Sequence, residues 1–149
     1  MDISRSSVVV IEAPGRLRDG LLLMLSSYAS LEVIGLAEEH LGAQKILTGR
    51  PVDLVLLHAD FPDGDALVLL KELKRQWPQT GCLFIGGNAR QLKAARDEGA
   101  DAVLMRGFQI GDLSTAIDGV LRGRAMTHES QSRHETESRD GTRPTAPSR

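Results

Sequence analysis

The side chains that could carry chemistry stand where predicted strands end. Glu12 and Ala13 follow a run of aliphatic residues, and His58, Gly86 and Arg106 each stand at the end of a later run. The carboxyl ends of parallel strands meet at one edge of a sheet, where α/β proteins bind their ligands. A carboxylate, an imidazole and a guanidinium at one edge could bind a metal ion or take part in phosphoryl transfer.

Short apolar runs alternate with helical patterns along the chain. Continuous aliphatic runs predict strands over residues 7–12, 31–35, 53–58, 82–85 and 102–105. Apolar residues at helical spacing predict helices near residues 17–25, 41–47, 66–77, 89–98 and 110–121. The alternation predicts an α/β fold with a doubly wound, five-stranded parallel sheet and right-handed crossovers.

The composition predicts one soluble domain with an aliphatic core. The chain has 149 residues, of which 41% are hydrophobic and only 3% aromatic. The net charge of -2 argues against a broad surface for nucleic acid. No apolar run is long enough to cross a membrane, and the first residues show no signal-peptide pattern, so a cytoplasmic protein is expected. The single cysteine, Cys82, excludes an internal disulfide framework.

The chain is expected to fold over residues 1–124 and to end in a polar tail. Ser, Thr, Arg, Glu and Pro dominate residues 125–149. Such a segment buries too little apolar surface to offset the entropy lost on ordering. We therefore predict a disordered tail without a folded output domain.

A resemblance to a known family is carried by six stretches: Val8–Glu12, Arg18–Leu21, Leu31–Gly35, Asp53–His58, Phe61–Leu67 and Gly99–Arg106. They resemble the receiver domain of bacterial two-component response regulators. The similarity is greatest to the subfamily that usually carries a helix-turn-helix output domain. The resemblance implies a flavodoxin-like receiver fold with the strand order 2-1-3-4-5.

The positions that do chemistry in that family differ in this chain. The resemblance places Glu12 and Ala13 at a pair of acidic positions, and His58 at the position of the phosphate-accepting aspartate. Gly86 stands where the family has a serine or threonine. The pocket at this edge therefore lacks two carboxylates and one hydroxyl.

Two further differences concern the switch that responds to phosphate in the family. Val103 is placed at the aromatic switch position, and Arg106 replaces a lysine. Arg106 keeps the positive charge and could pair with Glu12 across the site. The loop after Gly86 is also short, because Asn88 leads directly into the next predicted helix.

These differences predict a site that neither binds Mg²⁺ nor accepts phosphate. Mg²⁺ prefers oxygen ligands in octahedral geometry, and only Glu12 remains of three clustered carboxylates. Aspartyl phosphorylation also needs a carboxylate nucleophile, which His58 does not supply. We therefore expect no metal, no cofactor and no enzymatic activity.

Three alternatives stay open at this point. His58 or Asp60 could accept phosphate by unusual chemistry. Glu12, His58, Asp60 and Asp63 could together hold a transition metal. A small molecule or a flavin could bind to the same fold, although no Ser/Thr-rich phosphate loop follows Glu12.

The function that these residues favour is that of a degenerate, stand-alone receiver domain. It would act by phosphorylation-independent binding of a protein partner, which is a sensor kinase, a regulator or a second copy of the chain. The resemblance places this contact on the face formed by the fourth helix, the fifth strand and the fifth helix, from about Ala89 to Leu121.

Overall fold

Five parallel strands form one sheet at the centre of the molecule. The computed structural model describes residues 5–60 and 66–123. Within these ranges the strands are β1 (Ser6–Ile11), β2 (Leu31–Ala37), β3 (Leu54–His58), β4 (Gly81–Gly86) and β5 (Ala102–Met105). The helices are α1 (Arg16–Ser26), α2 (His40–Gly49), α3 (Ala66–Gln76), α4 (Ala89–Asp97) and α5 (110–123). The spatial order is β2-β1-β3-β4-β5, which confirms the predicted fold and strand order.

The sheet separates two hydrophobic cores because successive side chains of a strand point to opposite faces. Val9 and Ile11 of β1 face the core that is covered by α2, α3 and α4. Val8 and Val10 face the core that is covered by α1 and α5. Both cores are mainly aliphatic, as the low aromatic content predicts, and Phe84 is the largest fully buried side chain among the described residues.

The central strands are buried throughout, whereas the edge strand β5 reaches the surface. Every residue of β3 and β4 is buried. In β5 the first three residues are half-buried and Met105 is exposed. Since β5 pairs only with β4 among the described strands, its outer side lies at the surface between α4 and α5.

The turn before β5 is fixed by hydrogen bonds at the amino end of the sheet. Gly99 has a φ of 106°, which glycine adopts without a Cβ penalty. The Asp101 carboxylate accepts a hydrogen bond from the Cys82 N–H at 2.8 Å and pairs with Lys74 Nζ at 2.8 Å. Cys82 is buried, and burial raises the pKa of its thiol to about 12, so it serves the core rather than redox chemistry.

The predicted polar tail of residues 125–149 lies outside the described residues, so its disorder stays a prediction. The same holds for the loop residues 61–65, which include Asp63. Among the described helices, none combines the length and the apolarity that a membrane span requires.

Truncation of Leu69 tests the inner face of α3. Leu69 is fully buried, and its neighbour Val68 is 56% exposed. We expect Leu69→Ala to lower the free energy of unfolding by about 2–5 kcal/mol, because a cavity remains in the core. Val68→Ala should change it by less than about 0.5 kcal/mol. Urea denaturation measures both, and equal effects would mean that α3 does not pack as described.

Candidate functional site

The carboxyl ends of four strands bring the predicted site residues to one edge. Glu12 follows β1, and its N–H donates to the Ala37 carbonyl at 2.9 Å. His58 ends β3 and lies opposite Ile85 in β4. Arg106 follows β5, and its N–H donates to the Gly86 carbonyl at 2.7 Å. The sequence-based prediction of a shared edge is therefore correct in its geometry.

Glu12 is a buried carboxyl group close to two arginines. Its residue exposure is 5%. Burial raises the pKa of Glu12, while the charges of Arg106 and Arg18 lower it and Asp60 raises it further. The Nε of Arg18 is buried and lacks a hydrogen-bond partner among the described residues. Glu12 is thus desolvated by burial and lies in the field of two cations.

His58 is held as a neutral imidazole. Its residue exposure is 4%, and Nδ1 accepts a hydrogen bond from the Asp60 N–H at 3.1 Å. Burial lowers the pKa of His58, Arg106 lowers it further, and Asp60 raises it. A neutral ring whose Nδ1 is an acceptor carries its proton on Nε2. This Nε2 is buried and has no partner among the described residues.

The His58 ring should make the protein less stable in mild acid. Its pKa is lowered in the folded state, so below about 6.5 the unfolded chain binds more protons and stability falls as the pH falls. The variant His58→Leu lacks this titration. We expect the natural chain to lose more free energy of unfolding than His58→Leu between pH 7.5 and pH 5.5. Urea denaturation at both pH values measures this difference, and equal losses would contradict a buried neutral ring.

Arg106 pairs with Asp60 and not with Glu12. The sequence-based expectation of an Arg106–Glu12 pair is wrong: Arg106 Nη2 contacts Asp60 Oδ2. Both side chains are exposed, at 41% and 60%, whereas Glu12 is buried. The pair joins the segment after β3 to the segment after β5. An exposed pair of this kind contributes about 0–1 kcal/mol to stability, so it matters for the site's charge more than for folding.

Side chains of α4 occupy the space next to Gly86, and Val103 lies in the core beneath α4. Gly86 is buried, and Gln91 and Leu92 of the first turn of α4 lie over it. Val103 is half-buried and packs, like Leu92, against the core beneath α4. Sequence reasoning missed Gln91 and Leu92, and the short loop after Gly86 was the one signal that could have indicated their closeness.

The residues that the structure describes at this edge do not fit Mg²⁺. Ala13 offers no oxygen, His58 offers one engaged nitrogen and one protonated nitrogen, and Asp60 is paired with Arg106. Mg²⁺ takes oxygen ligands in a near-octahedral arrangement. Within residues 5–60 and 66–123 no three His, Cys, Asp or Glu side chains are grouped as for a metal, while Asp63 lies outside these ranges.

A solved receiver domain shares this architecture. The signal receiver domain of an HD domain-containing protein from Pseudomonas fluorescens Pf-5 aligns with a TM-score of 0.77 and 22% sequence identity. The alignment covers 87% of this chain and 96% of that one. The chain has the receiver fold of two-component response regulators.

Sequence comparison finds two curated relatives that cover more than half of this chain. Fimbriae Z protein from Salmonella typhimurium is 25% identical over 120 residues, which are 79% of this chain and 57% of that protein. The KDP operon transcriptional regulatory protein KdpE from Escherichia coli is 32% identical over 88 residues, which are 58% of this chain and 38% of that protein. The match thus spans about half of the length of these relatives, and no family model matches the chain.

Each predicted site residue named here lies at or directly after the carboxyl end of a strand. Glu12 and Ala13 follow the first strand, His58 ends the third, Gly86 ends the fourth and Arg106 follows the fifth.

The two large aromatic side chains that a flavin site could use lie elsewhere. Tyr28 precedes β2 and Trp77 precedes β4, so both are at the amino end of the sheet, opposite His58.

Proposed function

We propose that this receiver domain is degenerate and signals by binding another protein without being phosphorylated. The observation that carries the proposal is the state of His58, which stands at the acceptor position of the fold. Nucleophilic attack on phosphorus needs a free lone pair. The Nδ1 lone pair accepts the Asp60 N–H, and Nε2 is protonated and buried.

The charges around His58 support the same proposal. Phosphoryl transfer needs cations that compensate the charge developing on the phosphoryl oxygens. The guanidinium of Arg106 is already paired with the carboxylate of Asp60. The pairing also engages Asp60, the second candidate acceptor. Among the described residues, neither alternative acceptor thus has both a free nucleophilic atom and a metal site beside it.

The partner-binding surface that we propose is the face formed by α4, β5 and α5, from about Ala89 to Leu121. Met105 is 42% exposed and Ile110 is 52% exposed on this face, and Phe108 between them is half-buried. Exposed apolar side chains beside an edge strand are features of protein-binding surfaces. The partner is a sensor kinase, a regulator or a second copy of this chain.

A charge placed at Ile110 tests this surface. We expect Ile110→Asp to weaken partner binding at least tenfold, or by about 1.4 kcal/mol, because an apolar contact at the centre of an interface is replaced by a desolvated carboxylate. The matched control is Val68→Asp, at a similarly exposed position on α3. The probes are a second copy, measured by sedimentation equilibrium, and purified sensor kinases and regulators of the same cell, measured by biolayer interferometry. Equal affinities for both variants and the natural chain would exclude this face.

A further inference from the structure

The first turn of α4 rests directly on the end of β4. A Cβ atom added to Gly86 would lie 2.9 Å from Leu92 Cδ2, 3.2 Å from Gln91 Cβ and 3.3 Å from Phe84 Cε1. Carbon atoms in optimal contact are about 3.5–4.0 Å apart. The space that any side chain at position 86 would need is therefore occupied. Gly86 has an ordinary negative or extended φ, so it is this close approach, and not the backbone conformation, that disfavours a side chain at position 86.

The two-residue loop between β4 and α4 is closed by its own hydrogen bonds. The Asn88 side chain caps α4 by accepting from the Gln91 N–H at 2.9 Å. The Gln91 side chain turns back and accepts from the Gly87 N–H at 2.6 Å. A loop this short, with both of these amides satisfied, leaves α4 little freedom to move away from β4.

Arg106 connects this loop to β5 and to the segment after β3. The guanidinium of Arg106 lies beside Gly87, where an added Cβ would meet Nη2 at 3.5 Å. The Arg106 backbone N–H donates to the Gly86 carbonyl at 2.7 Å, and the Arg106 side chain pairs with Asp60. Strand ends β3, β4 and β5 are thus connected through one arginine.

We propose that Leu92 locks α4 onto β4. Because of this lock, the conformation of the α4 end of the partner-binding face does not respond to chemistry at position 58. A switch needs a second arrangement that a ligand can stabilise. Here Leu92 occupies the space that a hydroxyl side chain at position 86 would need. Arg106 is already paired with the Asp60 carboxylate. The lock goes beyond the proposed function, since it concerns how the face is held and not which partner it binds.

Amide hydrogen exchange of α4 in the unliganded full chain tests the lock. Gly86→Ala should force Leu92 and Gln91 away and lower the protection of the α4 amides roughly tenfold or more. Gly87→Ala is the matched control, because its Cβ would meet only side-chain tips at 3.5 Å, an ordinary contact distance. Its α4 protection should stay within about twofold of the natural chain.

The double variant Gly86→Ala/Leu92→Ala identifies Leu92 as the occupant. If Leu92 fills the space, Gly86→Ala should reduce protection much less in the Leu92→Ala background than in the natural chain. The same comparison applies if Gly86→Ala unfolds the whole protein, because the double variant should then refold. Equal α4 protection in Gly86→Ala and Gly87→Ala would overturn the lock. An equal loss from Gly86→Ala in both backgrounds, or a failure of the double variant to refold, would also overturn it. These measurements use neither a partner nor a phosphodonor, so their outcome is independent of the proposed function.

Discussion

Isothermal titration with Mg²⁺ will show saturable millimolar binding to Ala13→Asp/His58→Asp and none to the natural chain. The double variant places two carboxylates beside Glu12, and three clustered carboxylates supply the oxygen ligands that Mg²⁺ prefers. In the natural chain Ala13 and His58 supply no such ligand, and burial raises the pKa of Glu12. In the double variant, a bound divalent cation would offset the free-energy cost of burying several carboxylates together. We therefore expect a large difference in Mg²⁺ affinity between the two proteins.

The single variants Ala13→Asp and His58→Asp serve as controls, because each restores one carboxylate only. Their affinity should fall between those of the natural chain and the double variant. Saturable Mg²⁺ binding by the natural chain at the same concentration as by the double variant would contradict the described edge.

Intact-mass spectrometry after incubation with acetyl phosphate and Mg²⁺ will show no phosphoryl group on the natural chain. His58 has no free lone pair at the surface, and Asp60 is paired with Arg106. The variant Ala13→Asp/His58→Asp/Arg106→Lys restores the nucleophile, the metal ligands and the lysine of the family pattern. We expect this variant to gain one phosphoryl group, since covalent attack by a carboxylate then becomes possible.

A stable phosphoryl group mapped to His58 or Asp60 of the natural chain would contradict this expectation and favour the alternative of unusual phosphorylation. Acid lability distinguishes the two sites from hydroxyl esters, and the variants His58→Leu and Asp60→Asn identify which residue carries the group.

The sequence was sufficient to predict the sheet because its strands are continuous aliphatic runs. Val8, Val9 and Val10 are fully buried, as is expected of a strand covered by helices on both faces. The alternation of strands and helices predicts a parallel sheet, and the resemblance adds the strand order. The predicted end of β2 at residue 35 is two residues short, because the strand extends to Ala37.

The arrangement of side chains at the site could be predicted only in part. Positions at strand ends converge because the sheet is parallel, so Glu12, His58 and Arg106 were correctly placed at one edge. The partner of Arg106 depends on where a long flexible side chain meets an exposed carboxylate, which spacing along the chain does not encode. The packing of Leu92 over Gly86 likewise depends on how closely α4 approaches β4.

Partner affinity measured with and without acetyl phosphate and Mg²⁺ tests phosphorylation-independent binding most directly. The measurement uses a second copy of the chain and each purified kinase or regulator that binds it, with intact mass recorded on the same samples. A ligand without differential affinity for two conformations shifts neither of them, so we predict the same affinity within about twofold and no gain of mass. A several-fold change in affinity together with one added phosphoryl group would contradict phosphorylation-independent binding.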